Sequence, residues 1–112
     1  MIAAELLFDW GIEPVEADLR VGRDPDFSPL ASKLKRFDAV SRKHAELSLR
    51  DGILRITQLG STNPTYLNGR PLLKGASSVL GDGDILRFSS QVRAVVHFAA
   101  VDAFRYSEGH GG

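Results

Sequence analysis

The chain has 112 residues, 43% hydrophobic and 25% charged, which suits one domain with one core and argues against a disordered polypeptide. Its 14 basic and 14 acidic side chains cancel. That balance argues against a nucleic-acid partner held through its phosphates, although a local anion site needs only a few well-placed donors. With no cysteine there is no disulfide framework, thiolate metal site or redox motif. The apolar run from Ile2 to Trp10 is too short to span a bilayer, and Glu5 and Asp9 interrupt it with no basic residue leading it, so it is not a signal peptide. These features predict a soluble domain in a reducing compartment, the cytoplasm, with no membrane partner.

Along the chain the strand signal dominates. Strands are predicted over Ala3–Asp9 and Asp18–Gly22. The segment 24–40 contains two prolines and has mixed periodicity; it reads as a long loop with a helical turn around Ala31–Lys35. Next, Ala45, Leu47 and Leu49 alternate with Glu46, Ser48 and Arg50, and beyond Asp51-Gly52 a second run sets Leu54 and Ile56 against Arg55 and Thr57. Asp-Gly between two alternating runs predicts a tight hairpin with a type I′ turn. Asn68-Gly69 marks another turn, between Tyr66-Leu67 and Leu72-Leu73. Gly81-Asp82-Gly83 leads into a strand at Asp84–Phe88, and Ser89-Ser90-Gln91 separates it from a last one in which Val92, Ala94, Val96 and Phe98 share a face. Many short strands with frequent turns predict an all-β sandwich or barrel. One domain over residues 1–106 is expected, with an unfolded tail over 107–112.

Three polar signatures interrupt these strands: Gly22-Arg23, Ser41-Arg42-Lys43-His44, and Ser61-Thr62-Asn63-Pro64-Thr65 running into Asn68-Gly69. Together they offer a guanidinium, small hydroxyls, a carboxamide and a further cation, the groups needed to hold a phosphate and the backbone beside it. No metal-ligand cluster accompanies them, since His97 falls in the last strand and His110 in the tail, and no cofactor is implied. An enzyme using Ser41, His44 and an acid such as Asp38 is rejected. In an extended segment, residues three apart face opposite sides, and no orienting acid is signalled.

In this order and spacing, with Gly60 before the third signature and Leu80-Gly81-Asp82-Gly83-Asp84-Ile85 closing the set, the chain from Leu19 to Phe88 resembles the forkhead-associated (FHA) family of phosphothreonine-binding domains. The resemblance implies a β-sandwich of about eleven strands whose loops at one end read a phosphorylated motif with arginine. It implies a binding module rather than an enzyme, its partner a phosphothreonine-containing protein or peptide.

The same resemblance gives each residue a role. Arg23 is the principal phosphate ligand, because a guanidinium can make paired, charge-assisted bonds to phosphate oxygens; the plain alternative is an ion pair with Asp24. Ser41 donates a hydroxyl, and Arg42 touches the phosphate from the other side, unless Ser41 merely ends a loop and Arg42 is solvated. Thr62 helps hold the phosphothreonine, and Asn63 pairs with the ligand main chain, to which a carboxamide offers both a donor and an acceptor. His44 braces the loops, and Asn68 supports from a turn. The family usually has glycine where this chain has Pro64, which fixes φ and pushes Asn63 toward extended geometry. The intact neighbours Thr62, Asn63 and Thr65 imply that the loop survives. Lys33, Lys35 and Arg36 make the long loop locally basic, suited to acidic residues around a phosphosite or simply to water. The rival within the same scaffold is a degenerate member making phosphate-independent protein contacts, with Pro64 in its favour.

Overall fold

Alternation in the sequence becomes alternation of burial. In a computed structural model describing residues 2–60 and 62–100, strand β4 (Ala45–Arg50) turns Ala45 and Leu47 inward and β5 (Ile53–Gln58) turns Leu54, Ile56 and Gln58 inward. The Asp51-Gly52 hairpin between them has φ of 54° and 75°, the pair of positive values that a type I′ turn requires. Strands β3 (Asp18–Val21) and β8 (Ser77–Leu80) complete a four-stranded antiparallel sheet in the order β3-β4-β5-β8.

The second sheet has the order β2-β1-β10-β9-β6-β7. It is built from β1 (Ile2–Phe8), β2 (Gly11–Val15), β6 (Thr65–Leu67), β7 (Arg70–Pro71), β9 (Ile85–Phe88) and β10 (Val92–Ala100). Strand β1 pairs along its length with β10, from Ile2 opposite Ala100 to Phe8 opposite Ala94. Leu6, Phe8, Leu86, Phe88 and Val96 from this sheet join Leu19, Val21, Leu47 and Ile56 from the other in one apolar core. The ten strands among the described residues form the expected β-sandwich.

Two strands were not legible in the sequence. β2 carries Pro14 and exposes Ile12, which suits an edge strand but breaks the usual pattern. β8 is short and follows an irregular loop. The strand expected at Leu72-Leu73 is instead β7 at Arg70–Pro71, with Pro71 tolerated on a sheet edge. The long loop does contain its helical turn, α1 (Ala31–Leu34). Its mixed periodicity arises because Leu30, Ala31, Leu34 and Val40 drop into the core as isolated anchors. The expected tail over 107–112, with His110, lies outside the described residues. His97 is exposed on β10, and its Nδ1 lies 2.9 Å from Glu5 Oε1.

Candidate functional site

The strand register decides which loops meet. Val21 lies opposite Ala45, Ala45 opposite Gln58, Thr65 opposite Phe88, and Phe88 opposite Val92. The segments that leave or enter these residues therefore share one end of the sandwich: 22–24, 39–44, 59–64 and 89–91. Every predicted site residue except Asn68 lies in one of them.

The first segment is held to the second by backbone alone. Arg23 N–H donates to the Ser41 carbonyl at 3.2 Å and Asp24 N–H to the Arg42 carbonyl at 3.1 Å. This approach is the reason for glycine at position 22. A Cβ there would lie 2.0 Å from the Arg42 carbonyl oxygen, far inside contact distance. The half-buried Arg23 donates from Nε to the Val40 carbonyl, and its two terminal nitrogens have no hydrogen-bond or ion-pair partner among the described residues. The guanidinium is thus aimed by one bond and left with its outer fork open. The ion pair with Asp24 goes elsewhere: that carboxylate lies 3.4 Å from the exposed Arg42 guanidinium and accepts from Asp26 N–H at 2.9 Å.

His44 joins three segments. Its Nδ1 accepts from Ser41 N–H at 2.9 Å, its own N–H donates to the Val21 carbonyl, and its carbonyl accepts from Leu59 and Gly60 N–H at 2.9 and 3.0 Å. The ring is fully buried, edge-on to Phe88 with centroids 6.0 Å apart. Burial lowers its pKa from 6.5 to about 4, against a smaller upward pull from the Pro64 carbonyl. The imidazole is therefore neutral at pH 7, and because Nδ1 accepts, Nε2 carries the proton. Nε2 makes no hydrogen bond of ordinary geometry; the Pro64 carbonyl already accepts from Ser89 N–H at 3.0 Å.

Ser41 and His44 do not face opposite sides: residues 42–43 form a turn that brings them together. Their bond nevertheless uses the serine backbone and occupies Nδ1, so that nitrogen cannot act as a base toward the Ser41 hydroxyl. Asp38 is exposed and makes no hydrogen bond to the ring.

The third segment is clamped by a residue that sequence reasoning passed over. Gln58 is 1% exposed; its Nε2 donates to the Gly60 carbonyl at 2.8 Å and its Oε1 accepts from Thr65 N–H at 2.9 Å. A polar residue at the inward position after Leu54 and Ile56 was the available signal. Gly60 lets Ser41 come close, since a Cβ would stand 2.6 Å from Ser41 Oγ. Asn63 Nδ2 donates to the Ala39 carbonyl at 3.1 Å, and Ala39 N–H donates to Gln91 Oε1 at 3.0 Å, tying in the fourth segment. Thr62 is exposed beside it. Neither Asn63 nor Pro64 has positive φ and there is no cis peptide among the described residues, so proline fits the loop as built.

Asn68 stands apart, at the opposite end of β6 from Asn63. Its φ is 50°, its Nδ2 donates to Asp84 Oδ1 at 3.0 Å, and its Oδ1 accepts from Ile85 N–H at 2.8 Å. It secures a turn and is not brought into the loop cluster. Among the described residues no three His, Asp or Glu side chains gather where they could hold a metal ion. The cluster offers Arg23, Arg42, the Ser41 hydroxyl, Thr62 and the remaining donor and acceptor capacity of Asn63. Such a set can receive a dianion and an adjoining peptide unit.

Comparison with known proteins gives concordant matches. The FHA domain family model matches residues 19–89. The chain is 35% identical over 85 residues to an FHA domain-containing protein of Arabidopsis thaliana, an alignment covering 75% of this chain and 21% of that protein. It thus spans about a fifth of that relative's length. The solution structure of the FHA domain of an Arabidopsis thaliana hypothetical protein superposes with a TM-score of 0.77 at 26% identity, covering 89% of this chain and 88% of that one. An FHA domain solved in work on phosphothreonine-dependent FHA domain interactions superposes with a TM-score of 0.69 at 25% identity, covering 88% and 99%.

Proposed function

The chain belongs to the FHA-domain family, and from that premise we propose that it is a phosphothreonine-dependent protein-interaction module. It docks a threonine-phosphorylated segment, of a partner or of its own longer protein, that a Ser/Thr kinase has marked in the cytoplasm. The observation that carries this reading is Arg23, fixed through Nε to the Val40 carbonyl with its outer nitrogens unengaged. A phosphate brings about −1.5 to −2 charges and strong acceptor oxygens to that fork. Ser41 and Thr62 add hydroxyl donors, Arg42 adds a second cation at the rim, and Asn63 pairs with the ligand main chain. His44 holds these loops in register and does not touch the phosphate. A short peptide buries little area and loses much freedom, so affinity is on the order of micromolar.

The test is titration of the domain with one peptide in phosphothreonine and unphosphorylated forms. Binding confined to the phosphorylated form is expected; equal binding of the two overturns the reading. Pro64, in place of the usual glycine, favours the second reading, a scaffold for phosphate-independent contacts. Equal binding of both forms would select it.

A further inference from the structure

The loop cluster continues in one direction beyond the phosphate ligands. A recess of about 280 Å³ opens beside Arg23, walled by Pro25, Ala31, Ser32 and Lys35. A wider depression of about 570 Å³ shares Ser32 and Lys35 with it and extends to Trp10 and Arg36. A third, of about 180 Å³, shares Trp10 and Arg36 and runs on to Gln91 and Arg93. Shared walls make the three one trough, leading from Arg23 across the outer side of α1 to the start of β10.

Its charge is one-sided. Arg23, Lys33, Lys35, Arg36 and Arg93 line it against two carboxylates, Asp9 in its wall and Glu13 bonded to Trp10 and Lys33, in a chain whose overall charge is zero. Lys33 is neutralised by Glu13 at 2.8 Å, but Lys35, Arg36 and Arg93 have no carboxylate partner among the described residues. Trp10 forms a fixed apolar floor. Its ring stacks on Phe8 with centroids 4.3 Å apart, and its Nε1–H donates to Glu13 Oε2 at 2.8 Å. The Lys33 ammonium, paired with Glu13, lies 6.0 Å from the ring centroid, so the half-buried tryptophan is held in place before any ligand arrives, with the unpaired Lys35, Arg36 and Arg93 along the same trough.

We propose that this trough is an extension of the peptide site and takes an acidic stretch of the same phosphorylated segment. The inference rests on Arg23 receiving the phosphate. Continuity with that residue places the occupant on the phosphorylated chain itself, and the excess of cations requires it to be acidic. Aliphatic stems of glutamate side chains pack on Trp10 while their carboxylates meet Lys35, Arg36 and Arg93.

The experiment uses the whole chain and three phosphothreonine peptides of equal length. One has neutral flanks, one a short run of glutamates before the phosphothreonine, and one the same run after it. Trp10 is the only tryptophan of the chain, so its emission reports occupancy of the trough separately from affinity. One glutamate peptide should bind about fivefold tighter than the neutral one at low salt, a gain that fades as salt screens it. The same peptide should shift Trp10 emission, and the neutral one should not. In the double variant Arg36→Glu, Arg93→Glu, both effects should vanish while the neutral phosphopeptide binds as to the parent and the melting temperature is kept. If the neutral phosphopeptide fails to bind the parent, the phosphothreonine reading falls and this inference with it. If it binds and glutamates on neither side improve it, the trough proposal alone is overturned. Emission that responds to phosphatidylserine vesicles but to neither glutamate peptide overturns it in favour of a membrane surface.

Discussion

The two ends of this sandwich use similar residues to opposite effect. At one end, Asp51-Gly52 and Asn68-Gly69 make turns by local rules: positive φ at both residues of each pair and open space around each glycine, with the Asn68 carboxamide bonded to Asp84 and Ile85. At the other end, Gly22 and Gly60 have no positive φ. They are glycine because another loop's backbone or side chain lies where a Cβ would be. At the first end the Asn68 carboxamide is satisfied by the neighbouring strand. The second end uses buried groups, His44 and Gln58, to hold its loops and leaves the outer fork of Arg23 and the Thr62 hydroxyl unbonded among the described residues. Polar residues are turn-formers where they bond to one another, and are left unengaged where buried groups beneath them hold the loops.

Substitutions at the two ends should therefore separate. Arg23→Ala gives the largest effect: a loss of about 2–5 kcal/mol in phosphopeptide binding with the fold intact, read by calorimetric titration beside a thermal melt. Unchanged affinity would remove Arg23 from the phosphate site. Gly22→Ala should cost about 3 kcal/mol of stability and weaken binding as well, because the methyl meets backbone rather than a side chain that could move. Denaturant unfolding of the variant checks this, and a parent-like midpoint would contradict the close approach.

The next effect is one of pH. His44 has a folded pKa of about 4, below its unfolded 6.5, so between those values the unfolded chain binds the extra proton. Stability is complete above about pH 6.5 and falls as pH drops toward 4, by about 2 kcal/mol between pH 7 and 5. Urea unfolding at the two pH values should show this slope, and His44→Gln should flatten it. A slope that survives the substitution belongs to other groups. Smallest is Asn68→Ala, expected to cost about 1 kcal/mol of stability and nothing in peptide affinity. A binding loss there would mean that the two ends are coupled.

How far the sequence could be read follows the same division. Local rules wrote the hairpins at Asp51-Gly52 and Asn68-Gly69, the alternation of β4 and β5, and the shared face of Val92, Ala94 and Val96, and each was legible from neighbouring residues. The candidate residues Arg23, Ser41, Arg42, Thr62 and Asn63 were legible as motifs, and the register of distant strands explains why they meet. What escaped depends on contacts far apart in sequence. Gln58 looks like one more strand residue until Gly60 and Thr65 fold over it. Ser41 and His44 seem opposed until the turn at 42–43 is known, and Trp10 meets Arg36 only because β1 ends where the long loop passes. Strand β2 hid because an edge position permits Pro14 and an outward Ile12.

The pairing of β1 with β10 has a further consequence for how such a module can be mounted. Ile2 and Ala100 lie side by side, whereas Phe8, at the other end of β1, borders the loop end. Seven residues of strand separate the two levels, roughly 20 Å at the usual rise. The paired residues Ile2 and Ala100 therefore stand at the level farther from the loops that carry Arg23. A tether attached at that level would restrain the module's position without itself crowding the rim.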